Sequence, residues 1–363
     1  MGLSGGVDSA VTAALLQKQG HAVIGLTMQV WDGSLPLKDE GRCGCYGPGE
    51  ARDIEAARSV ARRLGIPHHT VPLAAEYKAG VVDYFREEYL HGRTPNPCVR
   101  CNRRIKFGLL LERARGAGIS FDAFATGHYA QVRRADPAGP YQLLRARDRA
   151  KDQSYFLSGL TQGQLAQVLF PLGELAKAEV KELARSLGWD DLAGKRESQD
   201  FFEGRDYSLL FRPEDARPGP IVDAAGRDVG THRGILHYTV GQRKGLGIGG
   251  GTEKPLYVIR IDAAANTVVV GPYEALFART LSAAGVNWIA GVPPEGPFRA
   301  AVKIRQQHRE APARVTPAAA AGECRAEVAF DEPQMSITPG QTVVFYQDDV
   351  VLGGGTIEGE TGG

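Results

Sequence analysis

The first half of the chain alternates between apolar runs and segments with helical periodicity. Residues 10–19 have a helical pattern, residues 21–30 form a continuous apolar and β-branched run typical of a buried strand, and residues 50–64 return to a helical pattern with a polar face. Strands at 66–71 and 121–125 and helices at 74–90 and 103–115 continue the alternation. Because strands that alternate with helices are typical of a parallel sheet with crossover helices, this half is predicted to be an α/β domain.

From about residue 195 the pattern changes to short apolar runs interrupted by glycine and proline. Residues 257–261 and 267–270 flank an asparagine-containing turn, as the strands of a hairpin do, and residues 342–346 are also strand-like. The last third is therefore predicted to be all-β and to form a barrel, with the alanine- and proline-rich stretch 311–322 as a surface loop. These changes predict an α/β domain at 1–195, a small central mixed domain at 196–275 and a β-barrel domain at 276–363.

The composition is that of an ordinary globular protein. The 363 residues are 43% hydrophobic and 23% charged, with a formal net charge of +1. This composition excludes the fibrous and disordered classes of protein. The net charge near zero gives no indication that the chain as a whole binds an anionic partner. The sequence has no apolar run of about 18 residues, and its first six residues lack the basic and apolar regions of a signal peptide. We therefore expect a cytoplasmic protein with no membrane partner.

The segment Ser4-Gly5-Gly6-Val7-Asp8-Ser9 precedes a predicted helix and has the composition of a phosphate-binding loop. Its two glycines let backbone amides approach an anion, and the helix N-terminus adds partial positive charge. In a nucleotide-binding βαβ unit such a loop follows a buried strand, but only three residues precede Ser4. We therefore expect the first strand to be truncated because the recorded start lies too far downstream, the alternative being that another segment fills its place.

Four of the five cysteines form two close pairs, Cys43 with Cys45 and Cys98 with Cys101. In a reducing cytoplasm, such pairs indicate reactivity or metal binding rather than a disulfide scaffold. The second pair lies before a helix, within the stretch 91–108, which has five Lys or Arg residues and no Asp or Glu. The helix dipole and the nearby Arg100, Arg103 and Arg104 predict a lowered thiol pKa. The basic stretch predicts a phosphate-rich substrate.

Longer stretches of the chain resemble the tRNA-specific 2-thiouridylase family of the MnmA type, which are PP-loop ATP pyrophosphatases. The matching stretches follow one order and span nearly the whole chain: SGGVDSAV (4–11), GRTPNPCVRCNRRIKF (92–107), ATGHYA (125–130), KDQSYFL (151–157), HYTVGQRKGLGI (237–248), EPQMSITPGQ (332–341) and VLGGGTI (351–357). The resemblance implies an adenine-nucleotide-hydrolase-like domain with a parallel sheet, a small central domain and a C-terminal β-barrel. It also implies 2-thiolation of the wobble uridine of tRNA, with ATP and Mg²⁺ forming an O2-adenylated uridine from which sulfur then displaces AMP.

The resemblance also implies roles for individual residues. The implied ATP-binding residues are Gly2, Leu3, Ser4, Gly5, Gly6, Val7, Asp8, Ser9, Met28 and Gly127, and the implied catalytic residues are Cys101, Cys98 and Asp8. The implied contacts to the flipped target base and the tRNA are Asn96, Pro97, Cys98, Lys151, Asp152, Gln153, Arg305 and Gln306. Arg145, Arg147 and Arg149 alternate with Lys151 on a strand-like stretch, which predicts one basic face toward the tRNA backbone.

The sequence departs from the family pattern at two positions. Many members have an aspartate, thought to serve as a base, where this chain has Cys98. The family usually has a sulfur-accepting cysteine in a Ser-Gln-Asp-x-Cys-Phe string, but Phe202 stands at that position here. Three sulfur routes stay open: a [4Fe-4S] cluster on Cys43, Cys45, Cys98 and Cys101, a cysteine persulfide without a cluster, or structural zinc on the same thiols. The sulfur donor is expected to be a donor protein or inorganic sulfide.

Two other functions fit parts of the sequence. A PP-loop ligase that adenylates a small metabolite would share the phosphate loop, but the basic cysteine loop and the predicted barrel argue against it. A non-catalytic metal- and tRNA-binding module would result if the short N-terminus had removed ATP binding.

Overall fold

The computed structural model describes residues 1–39, 41, 44–195, 200–204, 206–248, 255–320 and 322–359. The α-helices are α1 (Val7–Lys18), α2 (Glu50–Leu64), α3 (Ala74–Tyr77), α4 (Asp83–Leu90), α5 (Pro97–Arg100), α6 (Leu110–Gly116), α7 (Ser154–Leu157), α8 (Gln162–Leu165), α9 (Lys177–Ser186) and α10 (Asp190–Ala193). The strands of the first half are β1 (Gly25–Gln29), β2 (Gly44–Tyr46), β3 (His68–Pro72), β4 (Phe124–Ala125), β5 (Ala130–Arg134), β6 (Tyr141–Arg145) and β7 (Val168–Leu169). Those of the second half are β8 (Asp200–Phe202), β9 (Gly219–Asp223), β10 (Asp228–His232), β11 (Tyr257–Asp262), β12 (Thr267–Gly271), β13 (Phe277–Trp288), β14 (Phe298–Lys303), β15 (Ala311–Ala320), β16 (Glu323–Met335), β17 (Thr342–Gln347) and β18 (Val350–Ile357).

Shorter helical turns complete the described elements. Two π-helical segments, Lys78–Val82 and Cys101–Leu109, join α3 to α4 and α5 to α6, so each set forms one continuous helical stretch. The 3-10 turns are Tyr207–Leu210, Pro213–Asp215, Ile235–His237 and Tyr273–Leu276. Across the described ranges, no helix is both long enough and apolar enough to cross a bilayer.

The N-terminal half is the predicted α/β domain, with parallel strand pairs β1–β3, β4–β7 and β2–β8. Residues 1–3 lie between β1 and β4, because the Leu3 amide donates to the Leu26 carbonyl at 2.8 Å and the Gly2 amide donates to the Ala125 carbonyl at 2.9 Å. The position in which a missing first strand was expected is thus filled by these three residues. This short segment leads directly into the phosphate loop and α1.

The central part contains a four-stranded sheet in the order β10-β9-β12-β11. The predicted hairpin is confirmed, because β11 pairs antiparallel with β12 and Tyr257 lies opposite Gly271. Asn266 in the connecting turn has a φ of 48°, a left-handed conformation that asparagine tolerates better than most residues. The sheet has its own apolar core, which includes Ile221, Val258 and Val268.

The C-terminal part is a closed β-barrel, as the sequence predicted. Its strands follow the order β13-β16-β15-β14-β17-β18, and a further pairing of β13 with β18 closes the ring. The prediction of a surface loop at 311–322 is wrong, because Ala311–Ala320 form β15 between β14 and β16. Alternate residues Ala311, Ala313 and Val315 are buried in the barrel, so the stretch has a strand's period of two despite its prolines.

The barrel is attached to the N-terminal half by direct strand pairing. The hairpin β5–β6 extends the barrel sheet, because Leu144 and Leu143 of β6 lie opposite Val350 and Val351 of β18. A second attachment joins the cysteine loop to the barrel, since the Thr94 amide donates to the Pro339 carbonyl at 2.8 Å. The Gln341 side-chain amide donates to the Thr94 carbonyl at 2.9 Å. The barrel therefore holds the loop that precedes α5.

Phe202 is a packing residue of the N-terminal half. It lies opposite Tyr46 in the parallel β2–β8 pair and is 2% exposed. Replacing Phe202 by alanine should lower the free energy of unfolding by about 3–5 kcal/mol, because the removed ring leaves a cavity in a packed core. Denaturant unfolding of the variant measures this loss. A Phe277→Ala variant, at a position that is 38% exposed, is the control and should lose much less; equal losses would contradict the packing role.

Candidate active site

The phosphate loop, at the start of α1, has a backbone conformation that requires glycine at position 5. Gly5 has a φ of 73°, and a side chain there would come within 2.6 Å of the Ala56 methyl group and 2.8 Å of the Ala57 amide nitrogen in α2. Gly6 is the N-cap of α1 and supplies no side-chain cap. The Ser4 and Ser9 hydroxyl oxygens lie 3.1 Å apart, and Ser9 donates to the Gly6 carbonyl at 3.0 Å. The first turn of α1 thus presents backbone amides in the manner of an anion site.

Asp8, in the first turn of α1, is the centre of a three-residue contact. The Lys177 ammonium lies 2.7 Å from each carboxylate oxygen of Asp8, and the Tyr129 hydroxyl donates to Oδ1 at 2.8 Å. The Lys177 side chain is 10% exposed. The Lys177 ammonium is thus held against the Asp8 carboxylate in a defined geometry at the start of α1.

Residues predicted to contact the nucleotide lie around this loop. Gly127 packs against α1 so closely that a side chain would lie 2.9 Å from the Ser9 nitrogen. Met28 is half-buried on β1, the strand next to residues 1–3. The His128 Nδ1 atom lies 2.7 Å from the Thr126 hydroxyl, and burial holds the pKa of the imidazole well below its usual value. His128 is therefore neutral at pH 7.

The cysteine loop ends in a capped helix. The Asn96 side-chain oxygen accepts from the Val99 amide at 3.3 Å, and Pro97 occupies the first turn of α5, where a missing amide hydrogen costs nothing. Asn96 also hydrogen-bonds Tyr155, whose hydroxyl donates to the Thr342 carbonyl of β17 at 2.7 Å. Cys101 begins the π-helical segment that follows α5. Helix α5 and the contacts with the barrel thus fix the position of the segment that contains both cysteines.

The prediction of a lowered thiol pKa is wrong for Cys98 and Cys101. Burial raises the pKa of each thiol to about 12, and neighbouring thiols add to the shift. Arg100 is engaged away from the thiols: its guanidinium stacks 4.1 Å from the centre of the Tyr84 ring and donates to the Gly80 carbonyl. Both thiols are therefore protonated in the resting protein at pH 7.

The raised pKa of the two thiols predicts that their rate of alkylation depends on pH. Alkylation of Cys98 and Cys101 by iodoacetamide should rise about tenfold per pH unit from pH 7 to about pH 11, because the thiolate fraction keeps growing below a pKa of about 12. The small thiol glutathione should level off near pH 9 in the same series, as its ordinary pKa requires. Peptide mass spectrometry measures the extent of alkylation of each cysteine separately. A plateau for Cys101 near pH 7 would contradict the raised pKa.

A basic pocket of about 130 Å³ lies between α5 and the barrel. It is lined by Asn96, Arg100, Arg103 and Arg104 on one side and by Asn287, Gly354 and Gly355 of the barrel on the other. The Arg103 side chain lies 3.5 Å from the position of a Gly159 side-chain carbon, so it packs along the pocket wall. The pocket brings the predicted base-contacting Asn96 together with the basic stretch.

The other residues predicted to contact tRNA have internal contacts. Asp152 is buried and accepts from the Ala146 amide at 2.9 Å and from the Ser154 hydroxyl at 2.8 Å. Gln153 accepts from the Tyr129 amide at 2.9 Å. Gln306 donates to the Asp152 carbonyl at 3.1 Å, and Arg305 donates to the Met335 carbonyl at 3.2 Å. These contacts join the KDQ segment to the barrel, and contact with tRNA by these residues and by Lys151 stays a prediction.

The predicted alternation of arginines on one strand face is wrong, because β6 ends at Arg145. Arg145 is buried, pairs with Glu310 and lies over the Tyr346 ring at 3.8 Å. Arg147 pairs with Glu179, and Arg149 pairs with Asp349. The charges of these three arginines are therefore directed toward carboxylates of the same chain.

A metal site was one of the sequence alternatives for the cysteines. In the part of the chain that the structure describes, no group of three or more His, Cys, Asp or Glu side chains is placed to hold a metal ion. Cys43 lies outside the described residues, and Cys45, Cys98 and Cys101 alone form no such group. The cluster and zinc alternatives gain no support from this geometry.

Sequence reasoning missed one residue of the site, Lys177. It is the first residue of α9, more than 160 residues from Asp8, and neither charge nor periodicity distinguishes it from other lysines. Only the fold reveals that its side chain contacts Asp8.

The fold and this site define a three-domain protein with a HUP-type nucleotide-binding domain, a PRC-barrel middle domain and a closed C-terminal β-barrel. The tRNA methyl transferase HUP domain family matches residues 1–202, the tRNA methyl transferase PRC-barrel domain family matches residues 210–272, and the aminomethyltransferase beta-barrel domain family matches residues 278–357. The chain belongs to the family of tRNA-specific 2-thiouridylases, MnmA.

Full-length relatives support this membership. The tRNA-specific 2-thiouridylase MnmA of Endomicrobium trichonymphae is 48% identical over 358 residues, which are 98% of this chain and 98% of that protein. The proteins of the same name from Geotalea uraniireducens and Magnetococcus marinus are each 49% identical, cover 98% of this chain, and are themselves covered to 93% and 97%. The similarity thus spans all three domains.

Proposed function

We propose that this protein is a sulfurtransferase that uses ATP to replace the O2 atom of the wobble uridine, position 34 of tRNA, by sulfur. The observation that carries the proposal is family membership over nearly the full chain, with the phosphate loop and the cysteine loop both present. A small-metabolite ligase is not favoured, since its substrate would need neither the basic pocket nor the barrel that holds the cysteine loop. A non-catalytic module is not favoured either, because residues 1–3 lead into a formed phosphate loop.

The first half-reaction is adenylation of the base. The uridine O2 attacks the α-phosphorus of ATP and pyrophosphate leaves, so that C2 then bears AMP as a leaving group. The residues from Gly2 to Ser9 would hold the phosphates, with amides of the first turn of α1 directed at the charge that develops. Asp8 would hold Mg²⁺, which offsets the phosphate charge. Lys177, released from Asp8 when that ion binds, would remain within reach of the phosphates as a second positive charge.

The adenosine and the target base would approach from two sides of this loop. Met28 and Gly127 lie next to α1 and would contact the adenosine. The target uridine has to leave its base stack before O2 is accessible, and Asn96, Pro97 and Cys98 would line its position. The Asn96 amide is fixed by Val99 and Tyr155, so it can present a defined hydrogen-bonding pattern to a pyrimidine edge.

The second half-reaction is sulfur transfer. The outer sulfur of a Cys101 persulfide would attack C2 of the adenylated uridine, and AMP would leave with the former O2 atom. The Cys98 thiol, one helical turn away, would then attack the inner sulfur of Cys101, so that the S–S bond breaks, the uridine keeps the outer sulfur and a Cys98–Cys101 disulfide forms. An external thiol would reduce this disulfide before the next turnover. Because burial raises the pKa of both thiols, the reactive sulfur has to be a more acidic species than an ordinary cysteine thiol, and a persulfide has that property. The donor would be a sulfur-carrying protein or inorganic sulfide.

The basic pocket would hold the tRNA backbone. Arg100, Arg103 and Arg104 line it, and a phosphate bound there would position the anticodon loop without reading its sequence. Lys151, Asp152, Gln153, Arg305 and Gln306 would add contacts where the KDQ segment meets the barrel. Neutralising several phosphates predicts binding that weakens steeply as salt rises.

The test is AMP release from ATP by the purified protein with unmodified tRNA that has uridine at position 34. A matched tRNA with cytidine at that position is the control, because it keeps the fold and charge of the substrate but replaces the N3–H and O4 groups of uracil by an unprotonated N3 and a 4-amino group. Uridine-dependent AMP formation supports the proposal. Equal AMP release with both tRNAs, or with neither, would reject wobble-uridine adenylation.

A further inference from the structure

Lys195 is a second lysine at the phosphate loop, and the proposed chemistry does not use it. Its ammonium donates to the Gly5 carbonyl oxygen at 3.4 Å and lies 3.8 Å from the Oδ1 atom of Asp53. Gly5 precedes the N-cap of α1, and Asp53 lies in the first turn of α2. The ammonium is therefore beside the first turns of two helices, where the backbone amides have no partners within their own helix.

The backbone that carries Lys195 is fixed by the core of the N-terminal half. Leu192 and Ala193 of α10 belong to the same buried apolar cluster as Val7 of α1 and Ala57 of α2. The Lys195 amide donates to the Leu192 carbonyl at 3.1 Å. The side chain thus starts from a fixed point beside both helices, while its flexible four-carbon stem lets the ammonium turn.

The two lysines at the loop differ in how firmly their charges are held. The Lys177 ammonium lies 2.7 Å from both carboxylate oxygens of Asp8, and its side chain is 10% exposed. The contacts of Lys195 are longer than the usual hydrogen bond of about 2.7–3.2 Å, and its side chain is 30% exposed. A phosphate oxygen would give Lys195 a shorter, charge-assisted hydrogen bond in place of a long one to a peptide carbonyl. Lys195 can therefore change partners without breaking a tight pair.

The two ends of the phosphate loop face different elements. Gly127, an expected adenosine contact, packs against Ser9, whereas Gly5 packs against Ala57 of α2. Lys195 contacts the loop at Gly5. In ATP, the β- and γ-phosphates are the part of the triphosphate that is remote from adenosine. A nucleotide with its adenosine at Gly127 would therefore extend these two phosphates toward Gly5 and Lys195.

We propose that Lys195 binds the pyrophosphate portion of ATP and stabilises the charge that pyrophosphate gains as it leaves. The inference rests on the proposed function and assigns the residue that acts on its leaving group. When the uridine O2 attacks the α-phosphorus, the bond from that phosphorus to the bridging oxygen breaks, and the electron pair stays on the pyrophosphate. A positive charge that donates to the pyrophosphate offsets this added negative charge. Lys195 stays protonated throughout and transfers no proton.

The test measures the binding of inorganic pyrophosphate, with Mg²⁺ present, to the full-length protein by isothermal titration calorimetry. Lys195→Met removes the ammonium but keeps an unbranched side chain. It should weaken pyrophosphate binding at least about tenfold, the loss expected for one hydrogen bond between charged groups. Lys195→Arg keeps the positive charge and should recover most of the affinity. Lys18→Met, at an exposed position in the last turn of α1, is the matched control and should bind pyrophosphate normally.

Adenosine separates binding of the leaving group from a structural effect on the loop, because it has no phosphate. The affinity of Lys195→Met for adenosine should equal that of the unaltered protein. Equal weakening of adenosine and pyrophosphate binding would mean that Lys195 only holds Gly5 and α2 in place, and it would overturn the proposal.

Two other results would also overturn the role of Lys195. The first is an unchanged pyrophosphate affinity in Lys195→Met, and the second is a lack of pyrophosphate binding by the unaltered protein. Because the titrations contain no tRNA and involve no turnover, they are independent of uridine adenylation. Failure of the proposed function would instead appear as absent uridine-dependent AMP release, together with the expected loss of pyrophosphate affinity in Lys195→Met.

Discussion

Replacing Asp8 by alanine should lower tRNA-dependent AMP formation by about 10²–10³-fold, the range expected when a charged group that stabilises a phosphoryl transition state is removed. The carboxylate is the one acidic group in the first turn of α1, and its two oxygens each lie 2.7 Å from the Lys177 ammonium. Without it, the proposed Mg²⁺ would have no carboxylate ligand at the phosphate loop, and the Lys177 ammonium would lose the partner that positions it. AMP release with tRNA present is the measurement, and tRNA affinity should be preserved.

Two further variants separate the charge of Asp8 from its packing. Asp8→Asn retains an oxygen that can accept from the Tyr129 hydroxyl but removes the charge, so it should lose nearly as much activity with a smaller loss of stability. Asp191→Asn makes the same chemical change in an exposed pair with Arg63, at 2.8 Å, and should retain activity. If Asp8→Ala turned over ATP at the usual rate with tRNA, the assignment of the phosphate loop would be wrong.

The elements that sequence predicted best are those whose signals are local. The predicted helix at 50–64 matches α2 residue for residue, because its apolar stripe is regular and Gly65 ends it in a left-handed conformation with a φ of 65°. The hairpin at β11–β12 was predictable for the same reason, since its turn and both strands are contiguous. The phosphate loop could be located from sequence because six consecutive residues contain both its glycines and the start of the following helix.

The features that sequence missed depend on contacts between distant segments. The stretch 311–320 has the composition of a loop, but pairing with β14 and β16 makes it a strand, since partners on both sides outweigh local propensity. The thiol pKa was predicted with the wrong sign because charge and helix dipole are visible in the sequence, whereas burial of Cys98 and Cys101 is not. Lys177 was missed because only the tertiary fold places it beside Asp8.

Replacing Cys101 by serine should lower 2-thiouridine formation at least about 10³-fold, because a hydroxyl can neither carry sulfane sulfur nor replace the thiol as a nucleophile. Serine has the shape of cysteine with a smaller terminal atom, so the fold should be retained at this position, which is 8% exposed. In the proposed mechanism, adenylation uses the phosphate loop rather than this thiol. Uridine-dependent AMP release should therefore continue while thiolated tRNA, separated on a mercury-containing gel, is absent.

The matched control for this variant is Cys324→Ser, which makes the same change at an exposed thiol on β16 and should thiolate tRNA normally. A Cys98→Ser variant indicates whether Cys98 acts in sulfur transfer or in adenylation. Loss of thiolation with continued AMP release would place Cys98 in the sulfur step, whereas loss of AMP release would place it beside the uridine during adenylation. If Cys101→Ser thiolated tRNA at the normal rate, the nucleophile would have to be sought elsewhere, and the buried position of Cys101 would be explained by packing alone.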